Sequence, residues 1–530
     1  LKYYEIKNFE KSQNFLNEAA GISDDPRVYQ ILGDIAISKN DTASAERNYL
    51  YLYSKAPSEE NALILARLYR KSNNNIKAIE YYKFALNYNP KNSECLKYLG
   101  DAYFDLKNYE LADRYLSVLF NLDQNKETIL SKLAKSNFEL GNFEKCAEYS
   151  GKLNNLRAEQ MYEYGYSLYK IRKKIEALKI FDDLLQKGIS ANLKFQVLRL
   201  AADLYNELNS KIDARLIGYY EEMIKIHNDG TYKIEDANYF DKIVQQIAKF
   251  YFSITDYAKS YLYYSQIKKQ SSLDNENYFN FAISAFHLKK YSEALQLFNS
   301  MSVKTKLPAN NYKYTVVSYY YLNNFDNAYA DLKKYFDAGL TAAPDIENFN
   351  KIAGKILYYK NDYNKAAEFL NRIYATNKND TEILNLLGYI DLNNGKKTDA
   401  LQKFENSLNI NNNQWEILMT AGDLNYEINR FDNAARYYTK LQDLKTLDTS
   451  KSDIQKKLND RILKLANIYY TKGLFRKSYE ILSAYNQKYQ NLEDFRIYYN
   501  SALATMKVGK FDKADKLFEK SEKFNIKNST

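Results

Sequence analysis

Small residues recur in pairs twelve positions apart along this chain, and each pair sits in the same arrangement of apolar and polar positions. The stretch 98–116, YLGDAYFDLKNYELADRYL, displays it in full. Gly100 is followed by aromatics at Tyr103 and Tyr109, then by Ala112 and Leu116, with polar Lys107 and Asn108 between the two halves. Apolar positions at helical spacing on either side of a polar turn predict two short amphipathic helices. Only small side chains let two helix backbones approach closely, so Gly100 and Ala112 predict a tight crossing inside a helix–turn–helix hairpin.

The pattern repeats. The pairs are Gly33/Ala45, Ala66/Ala78, Gly100/Ala112, Ala134/Cys146, Gly165/Ala177, Ala202/Ala214 and Ala248/Ser260. They continue as Ala282/Ala294, Val316/Ala328, Gly354/Ala366, Gly388/Ala400, Gly422/Ala434, Ala466/Ser478 and Ala502/Ala514. The first member of each pair is called the anchor below. Six of the thirteen anchor-to-anchor spacings are 34, as from Ala66 to Gly100 and from Gly354 to Gly388. A period of about 34 with this pattern resembles the tetratricopeptide repeat, over nearly the whole chain. The resemblance implies an all-α fold: a right-handed α-solenoid of about 14 helix–turn–helix repeats plus a partial repeat at the N-terminus, where Phe9, Ser12 and Leu16 match a second helix.

The organisation expected from this reading is a partial repeat at 1–26, regular repeats at 27–210, an elongated junction at 211–254, regular repeats at 255–446, and 447–530 with a lengthened first helix and a terminal cap. Asp24, Asp25 and Pro26 signal a helix start, while Pro57 and Pro90 close the first two full units. The period breaks between Ala202 and Ala248, predicting two lengthened helices, about 211–226 and 236–253, around the turn Asn228–Asp229–Gly230. It breaks again between Gly422 and Ala466, where Ser452 is the expected N-cap of a long helix through Tyr470. Pro308 and Pro344 mark longer connectors, and 525–530 reads as a polar tail after a last unit ending at 518–523. Nine residues past most anchors lies an aromatic, including Tyr109, Phe143, Tyr257, Tyr291, Phe325, Tyr363, Phe431, Phe475 and Phe511, which predicts a core ring opening the second helix. Thr42, Asn75, Lys174, Lys211 and Lys397 depart from it and predict looser hairpin ends.

Composition adds little to function. Net charge is +10, from 76 Lys and Arg against 66 Asp and Glu, and runs such as Arg172, Lys173, Lys174 or Lys268, Lys269 are short and scattered. That is a mixed helical surface, not the concentrated basic patch of a nucleic-acid binder. Two cysteines, Cys95 and Cys146, exclude a disulfide framework, and Cys146 fills a small-residue slot. No apolar run reaches the roughly 18 residues of a membrane-spanning helix. The chain starts at Leu1 in mid-repeat, so it reads as a fragment or processed form. Fifty-three tyrosines with abundant Asn and Lys point to an AT-rich, bacterial source.

Catalytic, cofactor and metal signatures are missing. His227 and His287 stand far apart, and neither a phosphate-binding glycine loop nor a nucleophile elbow occurs. In the resembled family the first helices line a concave groove that holds a peptide or a partner helix. Four residues past the anchors lies an aromatic series expected to contact such a partner: Phe104, Phe138, Tyr169, Phe252, Phe286, Tyr320, Tyr358, Tyr426 and Tyr470, with Tyr321 and Tyr359 one position further. The Lys and Asn positions by which some members grip a terminal carboxylate are not matched here; the only Asn of that series, Asn467, has Leu463 in place of Lys.

The expected function is a non-enzymatic scaffold with protein partners, no nucleic acid and no cofactor. Two alternatives stand beside it. Large Tyr-, Asn- and Lys-rich arrays resemble periplasmic repeat proteins of spirochaetes, including those of the flagellar collar, which implies a structural role in a bacterial periplasm or envelope. The array is otherwise the substrate-selecting part of an enzyme whose catalytic domain lies upstream of Leu1.

Overall fold

The computed structural model describes residues 2–122, 127–209, 211–267, 273–304, 307–341, 343, 346, 348–444, 452–489 and 493–529. Among these residues there is no strand, and consecutive helices pack in pairs. The chain divides into two compact units, 1–270 and 271–530, each a row of helical hairpins.

The hairpin follows from local chemistry. In the repeat of Gly100, the helix Ser93–Asp105 ends on a left-handed residue, Lys107 at φ 57°. The N–H of Asn108 then donates to the carbonyl of Tyr103 at 2.8 Å, and that of Lys107 to Phe104 at 2.9 Å, which satisfies the last carbonyls of the helix. A left-handed residue stands seven past the anchor in thirteen repeats, from Asn40 and Asn73 through Gly141 and Asn323 to Gly473 and Gly509. Asn and Gly dominate because that conformation costs them least. The next residue caps the second helix: the side chains of Asp41, Asn74, Asp256, Asn324 and Asp362 each accept from the backbone N–H three residues on.

The crossing is closed differently from the simple pairing of small residues. The residues twelve past the anchors, Ala214 excepted, are buried, but the atoms facing a glycine anchor belong to the residue sixteen past it. A β-carbon placed on Gly100 would lie 2.5 Å from Leu116 Cδ2, on Gly388 2.6 Å from Phe404 Cε1, and on Gly422 2.6 Å from Tyr438 Cε1. Gly33 faces Tyr49, Gly165 faces Phe181 and Gly354 faces Leu370 in the same way. This large residue fills the hole left by the anchor, and Tyr82, Phe181, Tyr264, Phe298, Phe404 and Tyr438, all in this register, are among the largest fully buried side chains.

Several expectations are corrected. Ala214 is exposed and opens the helix Ala214–Asn228; Ile217 holds the buried place instead. The helix Ala191–Leu208 ends short of it, and Asp213 caps the next one by accepting from the N–H groups of Arg215 and Leu216 while receiving the Tyr205 hydroxyl at 2.6 Å. The lengthened helices of this junction are therefore Ala191–Leu208 and Ala237–Ser253, and Ala214–Asn228 is close to ordinary length. The long helix near the second break runs Ser452–Thr471, so Ser452 lies within it, whereas 445–451 and Pro344 fall outside the described residues. Lys268 and Lys269 also fall outside them. The last helix continues over Phe511–Ser529 rather than ending at 523. The rings nine past the anchors are half-buried, not core, since each opens its helix at the solvent edge of the turn. Phe511, 64% exposed, has Met506 instead of an aromatic where the other repeats supply a ring to pack on. At the N-terminus the helix Phe9–Ile22 buries Ser12 and Leu16, completing a partial repeat.

Gly388→Ala should overpack the crossing against Phe404 and cost about 1–3 kcal/mol. Native-state amide exchange should show faster opening confined to the hairpin 381–410, and Phe404→Leu in the same chain should restore most of the protection.

Candidate protein-interaction surface

Within each unit, successive first helices touch one another, as Glu127–Glu139 does with Ala158–Lys170, and Tyr312–Tyr321 with Phe349–Tyr359. Second helices make no comparable approach among the described residues. The first helices therefore form the more tightly spaced face, and the residues beside the anchors are brought together there.

The residue directly after the anchor ties one repeat to the next by charge. Arg67 pairs with Glu94 at 2.5 Å, Asp101 with Lys132 at 2.6 Å, and Lys135 with Glu163 at 2.6 Å. In the second unit Lys355 pairs with Glu382, which Lys351 also reaches at 2.8 Å, and Asp423 pairs with Arg461 and, at 3.1 Å, with Lys464. Asp423 additionally accepts the Tyr438 hydroxyl at 2.6 Å, so one carboxylate joins the crossing to the neighbouring repeat. Burial pushes the carboxyls of Asp380 and Glu382 up, but Lys351, with Lys355 for Glu382, outweighs it and holds both below the ordinary range. Glu163 goes the other way: burial raises it more than Lys135 lowers it. The sequence pattern alone did not reveal this pairing. The available signal was the alternation Asp34, Arg67, Asp101, Lys135 along successive anchors.

The aromatic series four past the anchors is half-buried, except Phe286, which is buried. Each ring packs against the one opening its own second helix. Phe104 meets Tyr109 edge-on with centroids 5.9 Å apart, Phe138 meets Phe143 at 6.2 Å, and Phe252 meets Tyr257 at 5.8 Å. Tyr426 meets Phe431 at 5.5 Å and Tyr470 meets Phe475 at 5.0 Å. Tyr169, whose repeat has Lys174 in that place, packs on Tyr166 instead at 6.1 Å.

In three repeats of the second unit these contacts join end to end. Phe286 meets Tyr291 at 5.8 Å, Tyr291 stacks on Tyr321 at 4.8 Å, and Tyr321 meets Tyr320 at 5.5 Å. Tyr320 meets Phe325 at 5.7 Å, Phe325 meets Tyr359 at 5.9 Å, Tyr359 meets Tyr358 at 5.7 Å, and Tyr358 meets Tyr363 at 5.8 Å. The chain of rings thus crosses from repeat to repeat through Tyr321 and Tyr359, which are 48% and 58% exposed. Leu288 and Leu322, exposed at the same ends of their helices, extend the apolar surface. Such an arrangement offers stiff apolar area with hydroxyl groups at its margin, which suits protein recognition.

No described helix is long and apolar enough to cross a membrane. The model of the tetratricopeptide repeat matches residues 63–119. No curated protein matches the chain. Among solved structures, the chain is similar to the crystal structure of MamA at 21% identity, over 33% of this chain and 96% of that one, with a TM-score of 0.27. It is also similar to the structure of Naa15/Naa10 bound to HypK-THB, at 14% identity over 99% of this chain and 92% of that one, TM-score 0.31. A third similarity is to the APC/C hetero-tetramer Cut9–Hcn1, at 13% identity over 96% and 99%, TM-score 0.24.

Asp423→Ala should leave the Arg461 guanidinium and the Tyr438 hydroxyl without their shared acceptor and cost about 2 kcal/mol. Amide exchange in 415–443 and 452–471 should accelerate together. Because the Asp380 and Glu382 carboxyls are depressed in the folded state, their contribution should be complete above the ordinary carboxylate range and lost as pH falls below about 4. Replacing Lys351 and Lys355 by Met should flatten that acid dependence in exchange measured across 349–393.

Residues 63–119 thus match the tetratricopeptide repeat, and the same hairpin geometry recurs through both units.

Proposed function

We propose that the chain is a protein–protein interaction scaffold that holds partner proteins on its first-helix face. The observation that carries this reading is the run of rings from Phe286 to Tyr363, which presents Tyr321 and Tyr359 to solvent. The inter-repeat ion pairs stiffen the same face, so a partner meets a preformed surface and little ordering entropy opposes binding. The partner is an extended peptide or a helix whose apolar side chains cover the exposed rings, while Phe104, Phe138, Tyr169, Phe252, Tyr426 and Tyr470 supply half-buried edges elsewhere in the array. The Tyr-, Asn- and Lys-rich composition supports an envelope assembly of a bacterium as the setting.

Tyr321→Ser with Tyr359→Ser should weaken capture of partner proteins from the source cells by at least about tenfold, since exposed aromatics dominate such contacts. Helicity and thermal stability should stay near wild type, because both rings lie at the surface, about half exposed. Phe286→Ala should instead lower stability by about 3 kcal/mol, as expected for a buried ring. Equal capture by wild type and the double variant, with both folded, would remove the binding surface from Tyr321 and Tyr359.

A further inference from the structure

At the far end of the second unit, Tyr479 on the helix Phe475–Lys488 reaches the start of the last helix, Phe511–Ser529. Its hydroxyl oxygen accepts from Lys510 Nζ at 3.1 Å and from Lys513 Nζ at 3.2 Å. Both ammonium groups also lie over the ring, 4.5 and 5.3 Å from its centroid. Neither lysine has a carboxylate partner among the described residues, and Glu480, next to Tyr479, is engaged by Arg476 at 3.2 Å. Two positive charges therefore converge on one phenol oxygen with no anion to balance them, so the ionised phenol is the form this cluster favours. Tyr479 and Lys513 line a cavity of about 130 Å3 whose other walls are the uncharged Ser483, Asn486, Gln487, Ser501, Thr505 and Leu517. It is large enough for a small planar acyl group.

We propose that Tyr479 is a nucleophilic tyrosine, a site of O-acylation by activated acyl donors such as thioesters and acyl phosphates. The phenol first releases its proton to water under the influence of Lys510 and Lys513. The phenolate oxygen attacks the acyl carbonyl carbon, forming a C–O bond and a tetrahedral oxyanion. Collapse of that oxyanion expels the thiolate or phosphate with its bonding pair and leaves an aryl ester on Tyr479. No oxidant or further co-reactant is needed. The lysines act by enlarging the ionised fraction of the nucleophile, as adjacent cations do for other activated nucleophiles.

The electrostatics agree with this geometry. Hydrogen bonds from Lys510 and Lys513, assisted by Ser483 and the Lys513 charge, bring the Tyr479 phenol down to about 8. Tyr82 and Tyr239, by contrast, are pushed up to about 12, mainly by burial.

The test is acetylation of the full chain with limiting N-acetylimidazole from pH 7 to 9, with site occupancy read by peptide mass spectrometry. At pH 7.5 Tyr479 should be acetylated about tenfold faster than the exposed Tyr359 and Tyr499, because a larger ionised fraction outweighs its lower intrinsic nucleophilicity. Its rate should level off above pH 8. Lys510→Met with Lys513→Met should bring Tyr479 to the rate of the other two, whereas Lys510→Arg with Lys513→Arg should keep most of the advantage; circular dichroism checks that each variant is folded. Hydroxylamine should remove the label, as it does for an aryl ester and not for a lysine amide. A Tyr479 rate equal to that of Tyr359, a rate unchanged by the Met variants, or a label found only on the lysines overturns the proposal.

Discussion

Everything in this chain depends on one contact: a first helix that carries no side chain, or a very small one, at its crossing point, and a large apolar residue from the second helix that fills the hole. Where the anchor is glycine there is no room for a β-carbon, because Leu116, Phe181, Leu370, Phe404 or Tyr438 already occupies the space. Such a contact is intolerant of change on both sides. A larger anchor is overpacked, and a smaller filler leaves a void. The turn between the two helices is set by the same register, since the left-handed residue seven past the anchor and the cap one beyond it fix where the second helix starts. The hairpin is therefore a single mechanical unit, and repeats stack by burying the faces that one hairpin alone leaves open.

Charge takes over where the hairpins meet. The residue after the anchor lies on the tightly spaced first-helix face, and in at least five repeats it reaches across to an opposite charge on the following one. Isolated exposed pairs contribute little, but apart from Arg67–Glu94 these are half-buried, and several are shared among three groups, as at Asp423 and Glu382. They fix the register between neighbours rather than supply the bulk of the stability, which comes from apolar burial. A face held in this way suits a binding surface, because its rings are positioned before any partner arrives.

The aromatic content serves two ends that differ by one residue in position. Rings four past the anchor turn inward and lock edge-on against the ring opening their own second helix. Rings five past it, at Tyr321 and Tyr359, turn outward and touch the ring that opens the second helix of the preceding repeat. A helix advances 100° per residue, so one step carries a side chain from the hairpin's own wall to the open face. At the junction, where Asp213, eleven past the anchor, caps the second helix, this register is lost, and the exposed Ala214 marks the slip.

The sequence by itself determined the period, the all-helical class and the positions of the hairpin turns. These are local: each rests on residues within a few positions of one another, so propensity and spacing suffice. Only the tertiary structure decided that the filler lies sixteen past the anchor, that Asp101 meets Lys132 and Asp423 meets Arg461, and that Tyr479 sits between Lys510 and Lys513. These contacts depend on how two helices are rotated about their axes and on how far one hairpin is turned against the next. A few degrees of rotation exchange one neighbour for another without altering the pattern of apolar and polar positions, and so the linear sequence leaves them open.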